Sequence, residues 1–253
     1  MASAVTPSDA AAVVLLRPRK IAGTADGPME VLLTRRPDSM VFAGGNFVFP
    51  GGRVDPADCA PDNLELSRGI DPARAARILG DEGSPERSLG FWLAGIRKLF
   101  EETGVLLCTT VKGRGLEALD ISRRGRVVAE RADVQRRRRT LASLLREHGL
   151  RYDPTALRYM ARWVTPAQYP VRFDTRFFFC QMPPGQQAVV CASEVAESRW
   201  MEAGEVIRAW RGHEMKMLSP TVITLMYLAQ YPTVNSLFAL HEEGRQRVQV
   251  PLR

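Results

Sequence analysis

The segment over residues 84–105 constrains the fold most, because it is typical of one long helix with two chemically different faces. At about 100° per residue, the apolar side chains between residues 92 and 100 fall on one face. Ser84 suits the start of this helix, and Gly104 suits a left-handed C-terminal cap. We therefore predict a helix that packs on one side and presents charge on the other. Four charged side chains share that second face: Arg97, Lys98, Glu101 and Glu102.

Two adjacent carboxylates at the end of a helix form a candidate metal site. Glu101 and Glu102 repel each other and the negative end of the helix dipole. A divalent cation would relieve both repulsions, and Mg²⁺ prefers carboxylate oxygens and water as ligands. The alternative interpretation is an ordinary solvated helix face, which most such pairs form.

A glycine-rich turn precedes this helix. Residues 49–52 read FPGG, and Gly52 is followed after five residues by Asp58. Together with RKLFEETGV at residues 97–105, this resembles the box of the Nudix hydrolase family: G, five residues, E, seven residues, R-E-U-x-E-E-x-G-U, with U aliphatic. Here Asp58 replaces the first Glu, and 38 residues instead of seven separate it from Arg97. The box is therefore split by an insertion of about 31 residues, as in the branch that includes proteins similar to CoA diphosphatases.

The resemblance implies a fold class, a cofactor and several site residues. The fold would be the Nudix α/β/α sandwich, an α/β fold with a mixed sheet, here with a helical insertion inside the box. The activity would be hydrolysis of a nucleoside diphosphate linked to another moiety, with Mg²⁺ or Mn²⁺ as cofactor. By their positions in the box, Glu101 and Glu102 are the expected metal ligands and Arg97 is an expected catalytic residue. Gly51 and Gly52 are expected to bind the substrate, because a glycine turn lets backbone approach phosphates.

The region upstream of the box narrows the substrate. Residues 32–52, LLTRRPDSMVFAGGNFVFPGG, resemble a signature of CoA-cleaving Nudix proteins, L-L-T-x-R-(S/A)-x3-R-x3-G-x3-F-P-G-G. Pro37 and Val41 depart from it, and at Val41 an expected arginine is missing. CoA or acyl-CoA is therefore the leading substrate, and NADH or a nucleoside diphosphate sugar is the weaker alternative. Arg36 is predicted to bind a substrate phosphate, against the alternative of an exposed arginine at a strand end.

Lys98 is the departure with the largest chemical consequence. The family has Glu at this position, often as a metal ligand or general base. On the helix, Lys98 can pair with Glu101 or Glu102 and would repel an incoming cation. Either catalysis survives with a ligand or base from elsewhere, or the metal site is weakened and the protein is a slow enzyme or a module that binds a nucleotide or a partner protein. The segment 193–201, SEVAESRWM, resembles a family loop that supplies such a Glu, so Glu194 and Glu197 are the catalytic candidates.

A second resemblance lies in the C-terminal half. WVTP at residues 163–166 and RFDTRFF at residues 172–178 are similar to the same split-box branch. Arg172 and Arg176 are four residues apart on a predicted strand, and therefore share a face. Arg172 is predicted to bind a substrate phosphate, and the alternative is that both arginines pair with Asp174 or other neighbours.

The remaining elements follow from local patterns. We predict a single domain over residues 1–253, with the insertion at about 59–90 and a helical segment at about 111–165. Predicted strands cover residues 11–16, 30–34, 105–107, 171–182 and 186–192. Predicted helices cover residues 73–79, 127–148, 204–210 and 219–230, and a short helix falls within 152–166.

Composition bounds the partners. The net charge of +7 over 253 residues favours anionic partners in general. No nucleic-acid motif accompanies it, and the arginine run at residues 136–139 is interpreted as a solvated helix face. No apolar stretch approaches a membrane span, the N-terminal residues lack a charged leader, and the four cysteines show no C-x-x-C spacing. We expect a cytoplasmic protein with reduced thiols that binds a small nucleotide-diphosphate substrate, not nucleic acid or membrane. Homodimer formation is left open.

Overall fold

The computed structural model of this chain describes residues 5–22, 26–40, 42–190 and 195–241. Within them lie nine strands: β1 (Ser8–Pro18), β2 (Met29–Arg35), β3 (Phe47–Val48), β4 (Gly51–Arg53), β5 (Cys108–Thr110), β6 (Leu150–Tyr152), β7 (Arg158–Val164), β8 (Phe173–Gln181) and β9 (Glu197–Glu202). The same residues form nine α-helices: α1 (Pro61–Leu64), α2 (Pro72–Leu79), α3 (Pro85–Thr103), α4 (Ile121–Ala129), α5 (Arg131–Gln135), α6 (Leu141–Glu147), α7 (Ala203–Arg211), α8 (Ser219–Leu228) and α9 (Val234–Leu240).

The main sheet is mixed, because β8 runs parallel to β1 while the other paired strands are antiparallel. β1 and β2 pair only near Leu16 and Val31, as the predicted hairpin. Beyond that point β3 takes the place of β1 beside β2, and β4 takes the place of β2 beside β1. The turn at Pro50 therefore lies where the two long strands part, and its carbonyl accepts a hydrogen bond from Val13 N at 2.8 Å. This places Gly51 and the glycine turn at a fixed point of the sheet.

Helices cover both faces of the sheet. Alternate residues of β1 point to opposite sides: Val13 and Leu15 pack with α3, whereas Val14 and Leu16 pack with α7, α8 and α9. All four side chains are completely buried. The α/β/α sandwich with a mixed sheet is therefore confirmed.

Helix α3 forms as its sequence predicts. It begins at Pro85 and ends at Gly104, which adopts a left-handed conformation with φ of 73° and donates its N–H to Phe100 O. Ser84 occupies the N-cap position, but its side chain makes no capping hydrogen bond. The apolar face is buried throughout, which fixes the direction of the opposite, charged face.

The insertion inside the box folds against the helical segment that follows α3. Asp71 caps α2 through Arg74 N, and Gly80 ends it with φ of 70°, as predicted. Upstream of α2, the chain runs alongside β6: Tyr152 N donates to Leu66 O at 3.0 Å, and Arg68 N donates to Tyr152 O at 3.2 Å. The insertion is thus hydrogen-bonded to a distant part of the chain.

Four predicted elements differ from the structure. The segment at 111–165 is helical only from α4 to α6, and the predicted short helix within 152–166 is wrong because only a single 3-10 turn at Pro154–Ala156 precedes strand β7. Residues 105–107 are buried but not a strand, and β5 begins only at Cys108. Residues 186–190 also form no strand, since the Gln186 side chain bonds both the N–H and the carbonyl of Leu106 at 2.9 Å.

Helices α7 and α8 lie at the predicted places, whereas α9 was not predicted. In the described residues, no helix combines the length and the apolar character needed to cross a membrane.

Candidate active site

The two halves of the split box meet through an ion pair. Arg97, near the end of α3, donates from Nε to Asp58 Oδ1 at 2.8 Å and from Nη2 to Asp58 Oδ2 at 2.7 Å. The Asp58 side chain is only 1% exposed. Arg97 also donates from Nη1 to Glu101 Oε1 at 3.0 Å. Burial alone would lower the pKa of Arg97, but the hydrogen bonds and the charges of Asp58 and Glu101 raise it. Arg97 therefore joins the residue before the insertion to the helix after it.

Lys98 contacts both of the predicted metal ligands. Its Nζ lies 2.7 Å from Glu101 Oε2 and 3.7 Å from Glu102 Oε1. The carbon chain of Lys98 lies against Gly52, where an added Cβ would stand only 2.8 Å from Lys98 Cε. Both oxygens of Glu101 are thus bonded to cations of the same helix.

Glu102 links the helix to the glycine turn. Gly51 N–H is shared between Glu102 Oε1 at 3.3 Å and Oε2 at 3.4 Å. Glu101 and Glu102 are 6% and 8% exposed, so the interpretation as a solvated helix face is wrong. The structure brings together five of the predicted site residues: Gly51, Gly52, Arg97, Glu101 and Glu102. Together with Asp58 and Lys98, these residues form the box cluster.

The other predicted site residues lie elsewhere in the fold. Arg36 follows β2, and its Nε is buried without a hydrogen-bond partner among the described residues. Arg172 precedes β8 and donates to the carbonyls of Thr165 and Val5. Glu197 begins β9 and pairs with Arg199. Glu194, like Val41, lies outside the described residues.

Arg172 and Arg176 do not share a role. Arg176 is buried within β8, pairs with Asp174, and stacks on the Phe91 ring with its guanidinium carbon 4.6 Å from the centroid. Its environment favours the structural alternative that the sequence left open for this residue. Arg172 contacts only backbone carbonyls in the hydrogen bonds above.

Two contacts that hold the end of α3 have no signal in the box motif. Arg131, at the start of α5, donates from Nε to Glu101 O at 2.9 Å, which satisfies one of the last carbonyls of the helix. Val189 N donates to Thr103 O at 2.8 Å in the same turn. Arg131 and Val189 thereby hold the turn of α3 that carries the carboxylates, which the sequence did not predict.

A different cluster has the spacing of a metal site. Among the described residues, the group of three that could hold an ion is Glu130, Glu147 and His148, not the box. His148 Nε2 lies 3.2 Å from Glu130 Oε1, and Arg139 donates to both carboxylates. A guanidinium therefore already offsets part of the negative charge of this cluster. His148 belongs to no sequence motif, so no chemistry was predicted for it.

Comparison with known protein families identifies the family to which this chain belongs. A family model described as the NUDT19 Nudix domain matches residues 8–228, from β1 to the end of α8. The chain belongs to this Nudix family. The predicted resemblance to Nudix hydrolases of the CoA-diphosphatase kind is confirmed.

The relatives of this Nudix chain are distant in sequence, but their alignments cover most of the chain. Putative nudix hydrolase 7 of Caenorhabditis elegans is 27% identical over 203 residues, which cover 79% of this chain and 56% of that protein. Acyl-coenzyme A diphosphatase NUDT19 of Homo sapiens is 25% identical over 233 residues, which cover 82% of this chain and 62% of the human protein. The chain thus spans about three-fifths of the length of these curated relatives.

A solved structure also resembles this Nudix chain over nearly its whole length. The crystal structure of a NUDIX hydrolase from Alicyclobacillus acidocaldarius aligns with a TM-score of 0.71 and 25% identity. The alignment covers 94% of this chain and 97% of that one. The same fold therefore includes the insertion and the helical segment.

Proposed function

We propose that this protein hydrolyses the diphosphate of CoA or acyl-CoA, releasing 3′,5′-ADP and a phosphopantetheine. The contact between Gly51 N–H and the Glu102 carboxylate carries the proposal, because it sets the glycine turn directly against an acidic helix end. The match to the NUDT19 Nudix domain supports this reaction class, and relatives named acyl-coenzyme A diphosphatase support the substrate.

A divalent cation, Mg²⁺ or Mn²⁺, is part of this proposal. Carboxylate oxygens are the donors that both ions prefer, so Glu101 and Glu102 fit by chemistry. The ammonium of Lys98, 2.7 Å from Glu101, must move aside before Glu101 can act as a ligand. When bound, the ion would neutralise phosphate oxygens and lower the pKa of a water molecule.

The chain's own residues have separate roles in the proposed reaction. The Gly51 and Gly52 turn accepts phosphate close to its backbone. Arg97 acts as a positioning residue, because its guanidinium holds Asp58 and Glu101 in place. The buried Nε of Arg36 lacks an acceptor, and a phosphate oxygen would supply one.

Two proposed roles concern the residues outside the box cluster. Glu194 and Glu197 remain the candidates for a general base that replaces the glutamate lost at Lys98. For Glu197 this requires release from Arg199, with which it pairs in β9. Arg172 remains a proposed phosphate ligand, although its guanidinium now donates to two carbonyls.

The second candidate function is a module that binds a nucleotide or a partner without cleaving it. The ion pair between Lys98 and Glu101 favours it, because this pair replaces metal charge with an internal cation. Hydrolysis of NADH or of a nucleoside diphosphate sugar is the weaker alternative. The proposal also includes a cytoplasmic location, supported by free thiols at Cys59, Cys108 and Cys180.

Turnover on a substrate panel separates these functions. The purified protein is incubated with CoA, an acyl-CoA, NADH or a nucleoside diphosphate sugar, with Mg²⁺ or Mn²⁺ or with a chelator. Chromatography should detect 3′,5′-ADP from CoA or acyl-CoA only when the metal is present. Nucleotide binding without turnover on any substrate would instead establish the module.

A further inference from the structure

A polar pocket lies where the box insertion meets the helical segment. The residues before α2 run beside β6, and the end of α6 closes the third side. Arg68 and Arg151 come from the two adjacent segments, and Arg146 comes from the last turn of α6. The pocket has a volume of about 450 Å³ and these lining residues: Glu65, Leu66, Arg68, Arg146 and Arg151.

The three arginines of this pocket lack carboxylate partners. Within residues 5–22, 26–40, 42–190 and 195–241, none of Arg68, Arg146 and Arg151 forms an ion pair. Arg146 donates to the backbone carbonyl of Asp62. Arg151 Nε is buried and has no hydrogen-bond acceptor in this part of the chain. A buried donor without an acceptor is destabilising, and three convergent cations also repel one another. An anion in the pocket would relieve the repulsion among the three guanidiniums, and it would give the Arg151 guanidinium, whose Nε is shielded from solvent, a negatively charged neighbour.

The lining selects the kind of anion. Three guanidiniums and one carboxylate give the pocket a net charge of +2, which matches a dianion. The planar donor pairs of arginine fit phosphate oxygens in a bidentate manner. Leu66 is the one apolar lining residue, so the lining does not suit an apolar ligand. The volume falls within the range of about 300–1,000 Å³ typical of small-molecule sites, which leaves room for more than a bare ion.

We propose that this pocket binds the phosphate monoester group of a small molecule. The pocket shares no residue with the box cluster described above. Binding there requires neither metal nor hydrolysis. An experiment can therefore contradict this proposal without contradicting the proposed diphosphatase activity, and the reverse.

The Arg151 Nε–H group provides a direct measurement. The full chain, labelled with ¹⁵N-arginine and kept metal-free with chelator at low ionic strength, is titrated with inorganic phosphate. We expect a saturable shift of the Arg151 Nε resonance, assigned by its loss in Arg151→Gln. Arg68→Gln, at an exposed position that leaves folding intact, should weaken phosphate binding at least tenfold. Arg211→Gln, which removes an equal charge from an exposed position at the end of α7, should change phosphate affinity less than twofold.

Paired nucleosides test the ligand class. Adenosine 5′-monophosphate should shift the same resonance, whereas adenosine should not. An Arg151 resonance that does not respond to phosphate overturns the proposal. Equal affinities in wild type, Arg68→Gln and Arg211→Gln would also overturn it, because the anion would then respond only to the general positive charge of the protein.

Discussion

The box cluster and the arginine pocket, which is lined by Arg68, Arg146 and Arg151, differ in whether their cations are paired within the chain. In the box, Arg97 and Lys98 lie within 3.0 Å of the carboxylates of Asp58 and Glu101. In the pocket, the guanidiniums of Arg68, Arg146 and Arg151 have no carboxylate partner in the described residues. The box is largely neutralised by the chain itself, whereas the pocket has a charge that only an external anion can neutralise.

The difference shows how one chain uses cations for two purposes. A buried ion pair holds elements together, and its partners are costly to separate. Unpaired cations at an open pocket contribute little to stability but attract anions. Changes in the box should therefore affect folding and the reaction, while changes in the pocket should affect binding alone. The following variants test this contrast, from the largest expected effect to the smallest.

Arg97→Gln should have the largest effect on stability. It leaves Asp58, which is 1% exposed, without its bidentate partner, and it also removes a cation from Glu101. Loss of one partner of a buried pair costs about 3–5 kcal/mol. Urea unfolding measures the change.

The control is Arg137→Gln, because Arg137 is 83% exposed and pairs with Asp55 at 3.1 Å. Its loss should cost at most about 1 kcal/mol. Equal losses in the two variants would contradict the assigned role of Arg97.

Glu102→Gln should have the next largest effect, on turnover. The change removes the negative charge proposed to bind metal but keeps the side chain's shape and its contact with Gly51 N–H. We expect CoA hydrolysis to fall by about 100-fold or more, equivalent to roughly 2.7 kcal/mol. Glu86→Gln, at an exposed position in the first turn of the same helix, serves as the matched control. Full activity in Glu102→Gln would remove this residue from the proposed ligands.

Lys98→Glu should strengthen metal binding. It replaces the ammonium near Glu101 and Glu102 with a carboxylate, a change of two charge units. One unit charge at about 4 Å is worth roughly 4 kcal/mol at an effective dielectric constant of 20, before the repulsion among three carboxylates reduces it. We expect Mn²⁺ affinity, measured by calorimetry, to rise by at least about tenfold. The Mn²⁺ affinity of Lys98→Gln should lie between those of the wild type and Lys98→Glu. An unchanged affinity in Lys98→Glu would show that Lys98 does not oppose the ion.

Arg68→Gln should have the smallest effect on stability. Arg68 has no ion pair to lose, and its removal lowers the repulsion within the pocket. The free energy of unfolding should change by no more than about 0.5 kcal/mol. Any gain in the free energy of unfolding from the lowered repulsion should appear at low ionic strength and disappear in high salt. A loss comparable to that of Arg97→Gln would show that the pocket is held together by its cations.

Local signals predicted the elements that position the box. Helix α3 was identified at both ends, because a proline start and a left-handed Gly104 act within one turn of the chain. The same holds for α2 between Asp71 and Gly80. The carboxylate pair was predicted from periodicity alone, while its ion pair with Lys98 followed from helical spacing.

Elements that depend on distant partners were missed. Strand β7 has a bulge between Tyr159 and Ala161, which breaks the alternation that identifies strands. Residues 186–190 have a strand-like composition, yet the Gln186 side chain pairs with the Leu106 backbone in place of a ladder. The arginine pocket depends on the pairing of Leu66 with Tyr152, and no local pattern shows that contact.

The ion pair between Asp58 and Arg97 has a consequence for how this domain can vary. It fastens both ends of the 38 intervening residues at the base of the insertion. The entropy of closing such a loop grows only logarithmically with length, by about 0.6 kcal/mol for each doubling. Segments of other sizes can thus be exchanged between Asp58 and the start of α3 at Pro85 at a small entropic cost, which makes the part of the insertion before α3 a suitable graft point for new recognition elements.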